Sequence, residues 1–380
     1  MVFYEPQKNN PGLMEKFEVT IIGAGIVGLA LAARLAPKLK AELLLVEQQE
    51  GFGRETSSRN SEVVHAGIYY PENSLKARLC VSGCRRIYQL CRENDIAHQH
   101  IGKLIVATSS AEETFLDELR QRGCKNGVSG LKLLSAAESK TLEPQVKAQA
   151  ALFSPDSGIV DSHNLMRLFQ NQAKTAGTTI AFHTGITAIR PFHPGFRLEC
   201  TGPDQDNFSF SSKIVINCAG LNAAHLSRSA GILTPTIHYA KGSYFSYSGP
   251  APLSHLVYPA PPSGGHGLGI HATIDLGGRL RFGPDLEYCE TPDYTVNADR
   301  RSHFADAIRR YLPSLDENRL VPDMAGIRPR LQGPDDPFSD FIIREETPKT
   351  PGFINLLGIE SPGLTAAPAI ADEIAAMIDV

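Results

Sequence analysis

Residues 17 to 22, FEVTII, form an almost unbroken apolar run of strand length, and GAGIVGLALAARLAPKL continues it as a turn and an apolar helix. A second apolar run, AELLLVE, ends in an acid at Glu47. Together they predict one β-α-β unit. Apolar residues then recur at helical spacing from roughly Ser74 to Asn94, HQHIGKLIVATS reads as a strand, and AEETFLDELRQRG as a helix after it. ALFSPDSGIVDSHNLMRLFQNQAKTAG reads as a strand, a turn and a helix. Either Asp161 or Ser162 can cap that helix by accepting a free first-turn amide hydrogen.

The next segments, TIAFHTGITAIRP, FRLECTG and FSFSSKIVINCAG, are strand-like. From about 233 to 325 the pattern changes, with Pro- and Gly-rich turns between short strands such as GSYFSY, GLGIHATID and GRLRFGP. That spacing predicts a mostly antiparallel sheet laid over a ligand site. GFINLLGIESPGLTAAPAIADEIAAMI closes the chain as a strand, a glycine turn and a terminal helix. No internal repeat or low-complexity segment interrupts the sequence.

A length of 380 residues suits two domains, and the net charge of -4 carries no basic face able to track a phosphate backbone, so nucleic acid is not an expected partner. Seven cysteines, an odd number without a C-x-x-C pair, fit a reducing compartment. Cys80, Cys84 and Cys91 share helical spacing with Ile87 and read as packing residues. The first 17 residues have neither a secretory apolar core nor an Arg-rich amphipathic pattern, so a loose tail and a cytoplasmic protein are expected. No run is long and apolar enough to span a membrane, which leaves only peripheral contact open.

Chemistry enters at Gly23-Ala24-Gly25-Ile26-Val27-Gly28, a G-x-G-x-x-G turn between a predicted strand and helix, with Glu47 ending the next strand. Gly23, Gly25 and Gly28 allow close backbone approach to a pyrophosphate at a helix N-terminus, beside Ile26. Glu47, followed by Gln48, can accept both ribose hydroxyl protons. The motif alone does not choose between NAD and FAD. The following stretch, ETSSRNSEVVHAGIYY, does: a nicotinamide dehydrogenase continues its β-α-β alternation after the acid, whereas this chain inserts a small-polar loop. Thr56, Ser57, Ser58, Asn60 and Ser61 can hydrogen-bond a diphosphate, a ribityl chain or a flavin edge, and Gly67 permits close approach. The pattern describes FAD threading past the loop, and a second Rossmann unit for NAD is absent.

On these residues, together with AKGSYFSY, MAGIRPRLQG and INLLGIESPGLTAAPAIA, the chain resembles the D-amino-acid-oxidase-like FAD oxidoreductases over about residues 17 to 378. Its HAGIYY and GIESPGLT segments are most similar to the branch of the L-2-hydroxyglutarate dehydrogenases and oxidases. The resemblance implies an α/β fold: a Rossmann-like FAD-binding domain of the GR2/DAO type and a second, mostly antiparallel β substrate domain. The expected division assigns 17–90, 151–232 and 326–380 to the first and 91–150 and 233–325 to the second. By position, the resemblance places Ala219 and Gly220 near the adenosine half. It places Ser361, Pro362, Gly363 and Leu364 toward the flavin ring, where the positive end of the terminal helix suits a reduced ring's charge, and counts Gly358 and Glu360 among the cofactor-binding residues.

The resemblance implies oxidation of an L-2-hydroxy acid, with L-2-hydroxyglutarate expected, by hydride transfer to flavin N5. The alternative is an amine or amino-acid oxidase of the sarcosine or glycine type. A flavoprotein without turnover is the third reading. Removing a hydroxyl proton near neutral pH calls for a histidine. Among twelve histidines, His271 in GIHAT is the first candidate and His65 the second, with covalent flavin attachment an alternative role for His65. Arg328 in GIRPRL can fork onto a substrate carboxylate, with Lys241 and Tyr244 as candidates for the other carboxylate. Lys103 reads as solvated. The expected electron acceptor is a quinone, an electron-transfer protein or oxygen. No metal site is expected: H-E-x-x-H is absent, and HQH at 98 to 100 stands alone. Without a G-x-S-x-G elbow, a hydrolase triad is excluded.

Overall fold

The structure, a computed structural model, describes residues 14–261 and 269–378. The expected N-terminal tail and the first residues of GLGIHATID lie outside the described residues. The chain divides into two compact units: 1–58, 162–239 and 328–380 form the first, and 59–161 and 240–327 the second.

The first unit is built on parallel strands Thr179–Ala181, Leu43–Val46, Lys16–Ile22, Asn207–Asn217 and Phe353–Leu357, hydrogen-bonded in that spatial order. Numbered along the chain, the order is 3-2-1-4-5, the doubly wound pattern. Asn207–Asn217 is long enough to continue as a hairpin with Phe196–Thr201, which pairs in turn with Gly185–Pro191. The central strands carry Val19, Ile21, Leu44, Leu45, Val215 and Ile216, all buried, and Leu44 and Val215 pack with Phe196, Leu198 and Phe210 of the antiparallel strands and with Leu226 of the helix Ala223–Ser229. The helix Ile26–Leu39 packs against Ser162–Thr175 and Gly363–Met377.

The second unit carries a nine-stranded sheet. From Lys132–Ser135 through Ala150–Ser154, Lys103–Ala107, Leu256–Pro259, Ala272–Ile274 and Leu280–Phe282 to His238–Tyr247, neighbours run antiparallel except Lys103–Ala107 and Leu256–Pro259, which are parallel. Both faces are covered. Leu104, Val106, Val257 and Phe282 pack with Phe304 and Ile308 of the helix Arg301–Arg309. Ile105, Ala107, Leu152 and Tyr258 pack with Val63, Ala66 and Ile68 on the other face.

The expected domain edges and the observed units differ at 59–90 and 151–161, and by a few residues at 233–239 and 326–327. The helix Leu75–Glu93 belongs to the second unit, where the Cys84 thiol and the Tyr88 hydroxyl donate to the Asp156 carbonyl and Val63–Val64 pairs with Gly158–Val160. The helix Arg301–Arg309 falls in the region read as turns and strands. Its apolar positions Phe304, Ala305 and Ile308 do follow helical spacing, amid arginines that dilute the signal. All seven cysteines are free. Burial pushes the thiols of Cys84, Cys200 and Cys218 up to about 12, in line with packing roles. Among the described residues no helix is long and apolar enough to cross a membrane, and no cluster of His, Cys, Asp and Glu is arranged to hold a metal.

Candidate functional site

In the first unit the strand order reverses between Lys16–Ile22 and Asn207–Asn217, and the loops at their carboxyl ends are Gly23–Gly25 and Cys218–Gly220. In open α/β sheets ligands bind outside such a switch point. The backbone requires the glycines there. Gly23 has φ 101°, and a Cβ on it would lie 2.6 Å from the Cys218 carbonyl oxygen. A Cβ on Gly28 would collide with the Gly23 carbonyl oxygen. Gly25 differs: its added Cβ would meet only the side-chain oxygen of Ser57, at 3.0 Å, and no backbone atom.

Glu47 is the clamp of this turn. One carboxylate oxygen accepts the Ala24 N–H at 2.8 Å and the other the Gln49 N–H at 2.9 Å, leaving lone pairs on both for ribose hydroxyls. Burial raises the Glu47 pKa, while those amide hydrogen bonds pull it back. Ser57 Oγ accepts the Ile26 N–H at 3.0 Å, so the small-polar loop closes onto the helix start. Helix geometry leaves the amides of Val27 and Gly28 without intrahelical acceptors. Gln48 donates to Glu55, and Ser58 Oγ to the Glu55 carbonyl. Thr56–Ser58 is a 3-10 turn of the first unit, whereas Asn60 and Ser61 belong to the second, where Asn60 Oδ1 accepts the Glu62 N–H.

Ala219 and Gly220 follow the strand Asn207–Asn217, and the buried Asn217 fixes the loop by accepting the Ala219 N–H and donating to the Asn355 side chain. Gly358, Glu360, Ser361 and Pro362 form the turn before the helix Gly363–Met377, whose positive dipole end is at Gly363 and Leu364. Glu360 is buried and pairs with Arg330 at 3.3 Å. Arg328 is half-buried, and among the described residues nothing hydrogen-bonds its guanidinium. This donor set fits an FAD: a pyrophosphate turn, a ribose acceptor and small hydroxyls beyond it.

The second unit gathers both candidate histidines into one cluster. Lys103 is 1% exposed, which corrects the expectation of a solvated lysine. The reason is strand parity: Lys103 and Ile105 point to the same face, and Tyr258 stands opposite Ile105 in the parallel register. Lys103 Nζ therefore lies 4.0 Å from the centroid of the Tyr258 ring, and it lies 3.3 Å from His65 Nδ1. The ring of buried His271 stacks on Tyr258. Burial pulls the Lys103 pKa down to about 7, with the nearby Cys80 and Cys84 thiols acting the other way. Tyr69, whose ring centroid is 5.8 Å from Lys103 Nζ, is also pushed up by burial.

Gly67 and Lys241 both have close neighbours within the protein. Gly67 has φ 99°, and a Cβ on it would lie 2.7 Å from Val81 Cγ2 of the helix Leu75–Glu93. Lys241 is buried and ion-paired with Asp293, and this hydrogen bond holds the Asp293 carboxyl down at about 2. Tyr244 is buried on the same strand, His238–Tyr247. Sequence reasoning did not place Lys103 or Tyr258 beside the candidate histidines. The available signal was one cation at the head of a fully buried run, KLIVA.

The chain matches the DAO family, FAD dependent oxidoreductase, over residues 18–377. It is 42% identical to the mitochondrial L-2-hydroxyglutarate dehydrogenase of Arabidopsis thaliana, over 95% of this chain and 83% of that protein. Among solved structures it is similar to the L-alpha-glycerophosphate oxidase of Mycoplasma pneumoniae with FAD bound. The TM-score is 0.86 at 29% identity, over 97% of this chain and 96% of that one. The glycine oxidase of Geobacillus kaustophilus shares the fold, with TM-score 0.81 at 21% identity over 96% and 95% of the two chains.

Proposed function

This chain belongs to the DAO family of FAD-dependent oxidoreductases, and from that membership we propose that it oxidises L-2-hydroxyglutarate to 2-oxoglutarate. The observation that carries the substrate is the 42% identity to a plant L-2-hydroxyglutarate dehydrogenase across 95% of the chain. Gly23, Gly25 and Gly28 would hold the pyrophosphate of FAD, Glu47 its ribose, and the Thr56–Ser58 turn, Asn60, Ser61 and the Gly363 helix end its flavin half. When bound, FAD would supply the two-electron acceptor for the hydride lost from C2 of the substrate.

The chain's own residues do the rest. Arg328, a half-buried guanidinium with no protein partner among the described residues, suits a substrate carboxylate through a two-pronged hydrogen bond. Lys241 and Tyr244 are the candidates for the second carboxylate, with Asp293 competing for Lys241. His65 takes the hydroxyl proton, in place of the first-ranked His271, because His65 alone of the two has Lys103 in hydrogen-bond reach of Nδ1. His271, held flat by Tyr258, orients the alcohol. The free thiols favour a reducing setting, for which we propose the cytosol, with the mitochondrion as the rival that cell fractionation would read.

A second reading follows from the 29% identity to the glycerophosphate oxidase: an alcohol beside a phosphate instead of a carboxylate. The amine-oxidising alternative has only shared fold behind it. Anaerobic mixing of the purified flavoprotein with L-2-hydroxyglutarate, its D-enantiomer, glycerol 3-phosphate and glycine separates these. Bleaching of the flavin absorbance by L-2-hydroxyglutarate alone is expected. Bleaching by glycerol 3-phosphate, with the yellow colour persisting in the hydroxy acid, overturns the assignment.

A further inference from the structure

Lys103 is a buried amine on the strand Lys103–Ala107. Among the described residues no carboxylate pairs with it. The groups facing it are the thiols of Cys80 and Cys84 from the helix Leu75–Glu93, the rings of Tyr69 and Tyr258, and His65. An unpaired ammonium in such a place is costly, and the site favours the neutral amine as pH rises past about 7. A neutral amine has a lone pair; an ammonium has none. That difference decides what the imidazole 3.3 Å away can do.

While Lys103 is charged, Nζ donates to His65 Nδ1, and a neutral imidazole must carry its proton on Nε2, where it cannot act as a base. Once Lys103 is neutral, Nδ1–H can donate to Nζ, and Nε2 is left with its lone pair. We propose that Lys103 is the positioning residue that switches His65 into its basic tautomer and then stores the proton of the reaction. The inference rests on the reading of this chain as an alcohol-oxidising flavoenzyme. As the substrate O–H breaks, Nε2–H forms. Nδ1–H then breaks as Nζ–H forms, leaving imidazole neutral and Lys103 as the ammonium. The C2 hydride leaves with its electron pair to the FAD that the family's activity supplies, so charge and electrons balance.

The tautomer can be read without turnover. Nitrogen-15 spectra of histidine-labelled holoenzyme, with His65→Ala to assign the resonance, should show the His65 proton moving from Nε2 to Nδ1 between pH 6 and pH 9. In Lys103→Met the switch should vanish and, with KM nearly unchanged, flavin reduction should slow by about 100-fold. Lys103→Arg, a permanent cation, should lock Nε2–H and lose the alkaline gain in rate. A wild-type His65 that keeps one tautomer across this range overturns the proposal, even if neither variant folds. So does a Lys103→Met enzyme with the wild-type pH profile. Because the spectra need no substrate, a failed substrate panel would count against the assignment of L-2-hydroxyglutarate and leave this test standing.

Discussion

The imidazole of His271 lies flat on the phenol of Tyr258, ring centroids 3.6 Å apart and planes within 14°. The Lys103 ammonium or amine also sits over that phenol, so one ring orients a candidate substrate ligand and supports the group behind the candidate base. Tyr258→Phe keeps both contacts and should leave kcat/KM within about threefold of wild type. Tyr258→Leu loses the stack and the ring face, and should cost about tenfold. Steady-state kinetics on protein with full flavin content checks this, and equal effects of the two substitutions would show that the hydroxyl matters, not the ring.

Arg328 is the corresponding question in the first unit. If its guanidinium pairs with a substrate carboxylate, Arg328→Met should raise KM about 10- to 100-fold while flavin content and the melting temperature hold. Arg328→Lys should recover only part, because a point charge cannot make the forked pair. An unchanged KM in Arg328→Met would remove this residue from the site.

Glu47 gives a prediction with a pH sign. Burial holds its folded-state pKa above the ordinary carboxyl value, so acidification protonates it earlier than an exposed glutamate. Its protonation relieves its own desolvation, and the protein is not destabilised through this group on that account. FAD binding, however, needs the carboxylate as ribose acceptor and should weaken as pH falls through the raised pKa. Glu47→Gln keeps the shape and loses the charge, so FAD affinity should drop about 10- to 100-fold and its acid dependence should flatten. Recovery of free-flavin fluorescence on dilution at pH 4.5 to 8 measures both.

How far these sites were legible depends on whether their partners lie close in sequence. The glycine turn, the helix Ile26–Leu39 and Glu47 fall within one β-α-β unit, and spacing alone located them. Arg328 stood out through its local Gly-x-Arg-Pro context. Lys103 did not, because its burial arises from a parallel pairing with a strand some 150 residues later, and no local pattern announces that Leu256 will lie beside it. The unit boundary at Ser58 was hidden for the same reason: Val63–Val64 is joined to the second unit by Gly158–Val160, almost a hundred residues away.

The stability of the protein should carry the signature of that buried lysine. An unfolded chain holds Lys103 at the ordinary value of 10.5, whereas the fold lowers it to about 7. Below pH 7 both states are protonated and the fold bears the full cost of a buried charge. Between pH 7 and 10.5 the unfolded chain binds the extra proton, so this group's contribution to stability rises with pH, and above 10.5 the penalty is gone. The span corresponds to about 5 kcal/mol at most. Lys103→Met removes the titration, so it should raise the melting temperature most at pH 6, progressively less toward pH 9, and approach wild type near pH 10. A difference that stays constant from pH 6 to pH 10 would mean that the lysine titrates in the fold as it does in water, and that burial is not what sets its charge.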